Sequence, residues 1–147
     1  MKYFQTIAFA LIGLLFSVKS FSQDSLYAKR IDSLWLHSYD THLLSKKRTT
    51  NGNAKVENAN YKSSGKMRSI VSLNKAKKEN LIFFYIEDKP VMISPSGQPP
   101  YFILNDSLVY AKQLKHTSEQ VQELIARAYN YLEFGYNKVK GQRDGRR

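Results

Sequence analysis

No cysteine occurs among the 147 residues. That excludes disulfides, thiolate metal sites, thiol nucleophiles and lipid attachment at a cysteine. Small exported domains often use disulfides as staples; a chain without them must stand on packing or lean on a partner. Long apolar runs are missing too. The longest, Ile7 to Phe16, is ten residues and Lys19 closes it, against ~20 for a spanning helix. Acidic side chains are scarce, 12 against 23 Lys and Arg, for a net charge of +11.

What is present at the amino terminus is an export signal. Lys2 precedes the apolar run and Ser20-Phe21-Ser22 follows it, placing small residues at −3 and −1 of a cut after Ser22. These are the three parts of a cleavable secretory signal. Residues 1–22 are therefore expected to be removed. The product is expected in the periplasm, on the cell surface or outside, with no transmembrane segment. Cleavage removes Lys2 and Lys19 and no acid, leaving +9. The charge is uneven: residues 46–78 hold ten Lys and Arg and one acid, Glu57, whereas residues 79–137 hold seven acids and four bases.

Residues 23–44 read as an amphipathic helix opened by Asp24 or Ser25. Tyr27, Ile31, Leu34, Trp35 and Tyr39 share one side, which makes them the candidate docking or partner-binding face. Residues 45–66 are Lys, Arg, Thr, Asn and Gly, with Val56 and Tyr61 the sizeable apolar side chains. Such composition buries too little to offset ordering entropy, so a flexible basic linker is expected there. From 67 to 137 the pattern is that of a small α+β domain: a mostly antiparallel meander of four or five short strands packed on a C-terminal helix. Its strands are Ser69–Leu73, Leu81–Ile86, Val91–Ser94, Tyr101–Leu104 and Leu108–Tyr110. Thr117 with Gln120 forms a capping box, Val121 to Tyr136 carries a clean apolar stripe, and Gly135 is the expected C-cap. A basic tail, 138–147, closes the chain. In Leu81–Ile86 and Tyr101–Leu104 both alternating sets of side chains are large and apolar, so both sheet faces need cover. The first helix is the intramolecular candidate for the second face, and another subunit is the alternative.

Catalytic and metal motifs do not assemble. His37 and His42 are five residues apart, about 140° around a helix, and His116 stands alone. There is no G-x-S-x-G, no H-E-x-x-H and no phosphate-binding glycine loop. Neither a cofactor nor an activity is expected. Lys46, Lys47, Arg48, Lys75, Lys77 and Lys78 are candidate anion-binding residues, suited to lipid phosphates or acidic glycans. Nucleic acid fits less well, because Tyr61 is the one aromatic interleaved with them.

Two resemblances are short. Asp-Ser-Leu, at 24–26, 32–34 and 106–108, resembles the acceptor pattern of a bacterial general O-glycosylation system. Pro100–Asp106 with Val121–Leu124 resembles part of the plug domain of outer-membrane TonB-dependent receptors, over under a third of the chain. The apolar strand that would follow is replaced by Lys138-Val139-Lys140, so no function is carried over from it. The chain is expected to be a small exported, non-enzymatic binding or interaction module of the bacterial envelope, with a protein partner or self-association. The alternative is a basic component that binds anionic lipid phosphates or acidic glycans.

Overall fold

The computed structural model describes residues 23–37 and 41–144, the side chains of Thr41 and 138–144 apart. The expected signal peptide, Tyr39 and the last three residues of the tail lie outside the described residues. Helix α1 spans 23–37. A 3₁₀ turn, Thr41–Leu43, leads into seven strands: β1 Leu44–Asn51, β2 Ala54–Tyr61, β3 Met67–Asn74, β4 Glu79–Ile86, β5 Lys89–Pro95, β6 Tyr101–Leu104 and β7 Ser107–Ala111. They pair in sequence order, each antiparallel to the next, as one meander. Helix α2, Ser118–Asp144, ends the chain. The fold is α+β, as expected.

The linker expected over 45–66 is not a linker. It is the first hairpin of the sheet, so no separate domain begins at residue 67. Gly52, at φ 56°, occupies the first position of the two-residue β1–β2 loop, where a type II′ turn requires positive φ. The first helix is also shorter than expected, because Leu44 is already paired with Tyr61. The next two-residue loops, Glu87-Asp88 and Asn105-Asp106, have positive φ at both positions, 52° and 61°, then 50° and 60°. This is the type I′ form, whose twist matches that of the flanking strands.

Cross-strand partners share a face, so the register sorts the side chains into rows. One row, Lys47-Asn58-Ile70-Phe83-Ile93-Tyr101-Ala111, faces α2. Val121, Leu124, Ile125, Ala128 and Leu132 of α2 close over Ile70, Phe83, Ile93 and Tyr101 to make the main core. The opposite face carries the row Lys46-Ala59-Ser69-Phe84-Met92-Phe102-Tyr110. At this level three β-bulges interrupt the pairing, leaving Arg68, Val91 and Val109 without opposite partners. Val91 and Val109 pack into the second core with Phe84, Met92 and Phe102. Each bulge adds a side chain and sharpens the local twist.

α2 is fastened at both ends. The capping box forms as expected: Thr117 N donates to Gln120 Oε1 at 2.9 Å, and Gln120 N to Thr117 Oγ1 at 3.3 Å. Towards the other end, Tyr129 OH donates to Asp106 Oδ1 at 2.5 Å and Tyr136 OH to Asp88 Oδ1 at 2.6 Å. Two tyrosines two helical turns apart thus pin the two type I′ turns. Gly135 does not cap the helix, which runs on to Asp144 through the start of the expected tail. Its role is close approach: a Cβ there would stand 2.8 Å from both Asn58 Nδ2 and Met67 Cε.

Candidate functional site: the groove beside the first helix

α1 lies on the second face of the sheet. Ala28 and Ile31 are buried against Phe84, Met92 and Phe102, with Tyr27 and Trp35 partly buried beside them. Tyr27 OH donates to Ile103 O at 2.6 Å, tying the start of α1 to β6, and burial raises the Tyr27 pKa. Trp35 meets Phe84 edge-on at 5.3 Å between centroids. Beneath it lies Arg68, fully buried, its guanidinium 4.5 Å from the Trp35 ring centroid and 5.4 Å from that of Phe84. Arg68 Nη2 donates to Trp35 O at 2.9 Å, and Nη1 to Ser69 Oγ at 3.3 Å. A planar cation can stack on aromatic faces while its edge serves hydrogen bonds, which is why Arg suits such a site. By composition Arg68 belongs to the basic run 46–78; the bulge turns it inward.

The expected docking face divides in two. Ala28, Ile31 and Trp35 face the sheet, whereas Leu34 is 41% exposed and looks along a groove. This groove, about 440 Å³, runs between α1 and the type I′ turns. Tyr27, Ile31 and Leu34 form its helix wall; Ile86, Val91 and Leu104 form much of the sheet wall. Leu104, 42% exposed, was not among the sequence-derived site residues. Alternation puts it on the same face of β6 as Phe102, but at the end of the strand it lies outside the second core. Arg30 and Lys89 stand at the rim, as does Asp106, which accepts the Tyr129 hydroxyl. Burial, then the hydrogen bond to Asp106, push the Tyr129 pKa up to about 12. Tyr136 also rises to about 12, by burial and then its bond to Asp88.

The six candidate anion-binding residues do not form one patch. Lys46 and Arg48 project from one face of β1 and Lys47 from the other. Arg48 Nε is bonded to Glu57 Oε2 at 2.6 Å. Lys75, Lys77 and Lys78 sit together in the β3–β4 turn. The histidines are also dispersed: His37 Nδ1 is 2.8 Å from Ser33 O, and His116 Nδ1 is 2.7 Å from Tyr101 OH. Among the described residues, no three His, Asp or Glu side chains group as a metal site, and no helix is long and apolar enough to cross a membrane. Of the serines in the Asp-Ser-Leu triplets, Ser33 and Ser107 are exposed and Ser25 is partly buried. No family model matches the chain, and no curated protein or solved structure shows significant similarity to it.

Proposed function

We propose that the protein is an exported, non-enzymatic binding module of the bacterial envelope that receives a protein partner in the groove beside α1. The observation that supports this most is the pair Leu34 and Leu104, both two-fifths exposed, on opposite walls of a groove that Ile31 and Val91 also line. Single exposed leucines are ordinary on a protein surface; two converging on an apolar groove are what a docking site needs. The module contributes a rigid wall. α1 is held by the Tyr27 hydroxyl at one end and by Arg68 and Trp35 at the other, so little ordering cost falls on binding.

The test is capture from the native envelope by the exported protein, wild type against L34D and L104D. Partner recovered by wild type at raised salt and lost by both variants is the expected result. Equal recovery by all three would refute the groove as the contact surface. A variant at Leu26, which is 69% exposed but not in the groove, serves as the control and should behave as wild type.

A further inference from the structure

We propose that the opposite end of the sheet, built around the β3–β4 turn, is a docking surface for an anionic lipid bilayer. In a meander the turns alternate between two ends. The β1–β2, β3–β4 and β5–β6 turns share one end; the type I′ turns and the proposed partner groove lie at the other. The type I′ end carries both signs, Glu87, Asp88 and Asp106 beside Lys62, Lys66 and Lys89, with Lys66 paired to Glu87. At the β3–β4 end the one acid at a turn boundary is Glu79, and it is held by Arg127 Nη1 at 2.7 Å.

Four lysines surround the β3–β4 turn, Lys55 near the start of β2 and Lys75, Lys77 and Lys78 in the turn itself, while Lys112 and Lys115 follow β7 at the same end. All four are exposed, and none forms an ion pair among the described residues. The turn that carries three of them is shaped by its own bonds. Lys77 N donates to Asn74 Oδ1 at 3.1 Å and Lys78 N to Lys75 O at 3.3 Å, which fixes the backbone that carries the three lysines. Beside them Leu73, the cross-strand partner of Lys55, is 38% exposed. On the same face Val71 is half-buried, since α1 covers the row of Phe84 and Met92 and stops short of Val71.

Exposed lysines around an exposed leucine match a surface that is negative outside and apolar just beneath. The lysines supply attraction over roughly a Debye length, and the leucine enters the headgroup boundary. Single-stranded nucleic acid would call for rings on which bases could stack. The three turns at this end, Gly52-Asn53, Lys75–Lys78 and Ser96–Pro100, contain no aromatic residue.

Vesicle flotation of the exported protein, tail included, tests the proposal, with phosphatidylcholine vesicles against vesicles carrying one-third phosphatidylglycerol. Binding is expected to the anionic vesicles alone and to fall as sodium chloride is raised. At about 1 kcal/mol per basic residue near the surface, each lysine is worth roughly fivefold. K75Q/K77Q should therefore lower partitioning about 30-fold. K29Q/K62Q removes the same charge from α1 and the β2–β3 turn at the other end and should stay within about twofold of wild type. Leu73→Ser should weaken binding several-fold at every salt concentration. Equal losses in the two double variants would reduce the effect to net charge and overturn the proposal. So would binding to neutral vesicles, or displacement by inorganic phosphate at matched ionic strength, which would mark a discrete phosphate site. Tighter binding to an acidic glycan or to single-stranded DNA than to anionic vesicles would also overturn it. Circular dichroism of each variant establishes that it is folded.

Discussion

Replacing Trp35 with Ala should cost the protein about 3 kcal/mol. Loss of a fully buried Trp or Phe ring costs roughly 3–5 kcal/mol, and Trp35 is only partly buried, which lowers the packing loss to about 2. The ring is also one member of a stack. Its edge contact with Phe84 at 5.3 Å goes, and so does the face it offers to Arg68 at 4.5 Å. A cation–π contact is worth about 0.5–1 kcal/mol at an exposed site and about 2 when desolvated, and at this partly buried ring it adds about 1. The hydrogen bond from Arg68 to Trp35 O survives the substitution, because its acceptor is backbone. With a urea m-value of about 1.5 kcal/mol/M, the midpoint should fall by about 2 M. Far-UV circular dichroism is the right probe, since the variant loses the protein's single tryptophan. In the wild type, Trp35 fluorescence should change at the same midpoint if α1 and the sheet unfold as one unit. Leu36→Ala, at a side chain 66% exposed on the same helix, should change stability by less than about 0.5 kcal/mol and the midpoint by less than about 0.3 M. An unchanged midpoint in Trp35→Ala would refute docking of α1 in solution.

Four further outcomes are expected. Stability should fall as pH rises from 10 to about 12, because Tyr129 and Tyr136 have folded pKa values near 12, above the usual 10, and the unfolded chain therefore loses those protons first; urea midpoints measured across that window should fall less steeply in Y129F/Y136F. Gly135→Ala should destabilise by about 1–2 kcal/mol despite alanine's better helix propensity, since the new methyl meets Asn58 and Met67; a raised midpoint would count against close helix–sheet packing. Brief trypsin treatment should spare Lys46, Lys47, Arg48 and Lys55, and early cutting there would contradict a paired β1–β2 hairpin. The intact mass of the exported protein should correspond to a chain beginning at Gln23; a mass that includes residues 1–22 would show that the leader is retained.

Where side chains are large, the sequence spoke plainly. Phe83, Phe84 and Tyr85 announced a strand buried on both faces, and the α2 stripe named its buried residues almost one for one. The hairpin 44–61 was hidden by the same physics that makes it fit. β2 faces the core with Ala54, Val56 and Asn58, and Gly135 brings α2 within contact of Asn58. A helix that approaches so closely leaves room for small residues only, and small or polar residues contribute little to a hydropathy pattern. Thr49, Thr50 and Asn51-Gly52 were the local strand and turn signals, outweighed by Lys and Arg in a reading based on composition. The site was legible in part for a related reason. Periodicity placed Tyr27, Ile31 and Leu34 on one side of α1. It could not separate the side chains that meet the sheet from Leu34, which stays exposed beside the groove, because that depends on the angle at which the helix lies. Arg68 escaped because no periodic rule anticipates a bulge.

The basic residues of β1 then have two physical explanations, and the topology favours one. β1 is an edge strand, with β2 on one side only. Its outer backbone groups would template pairing with another chain unless something discourages it, and lysine is a common means. Lys46, Lys47 and Arg48 alternate across both faces of this edge, so any incoming strand meets positive charge whichever face it presents. That alternation suits a guard and scatters charge for a flat anionic ligand. The β3–β4 turn has the reverse geometry: Lys75, Lys77 and Lys78 lie within four residues at one tip, are absent from any edge, and leave Leu73 exposed beside them. The two groups should therefore separate under substitution. K46T/K47T should raise the tendency to self-associate at high concentration, read by light scattering, with vesicle binding little changed. K75Q/K77Q should weaken vesicle binding and leave self-association where it was. If K46T/K47T weakened vesicle binding as strongly as K75Q/K77Q, the basic residues would act as one electrostatic field and the division between guard and docking tip would fail.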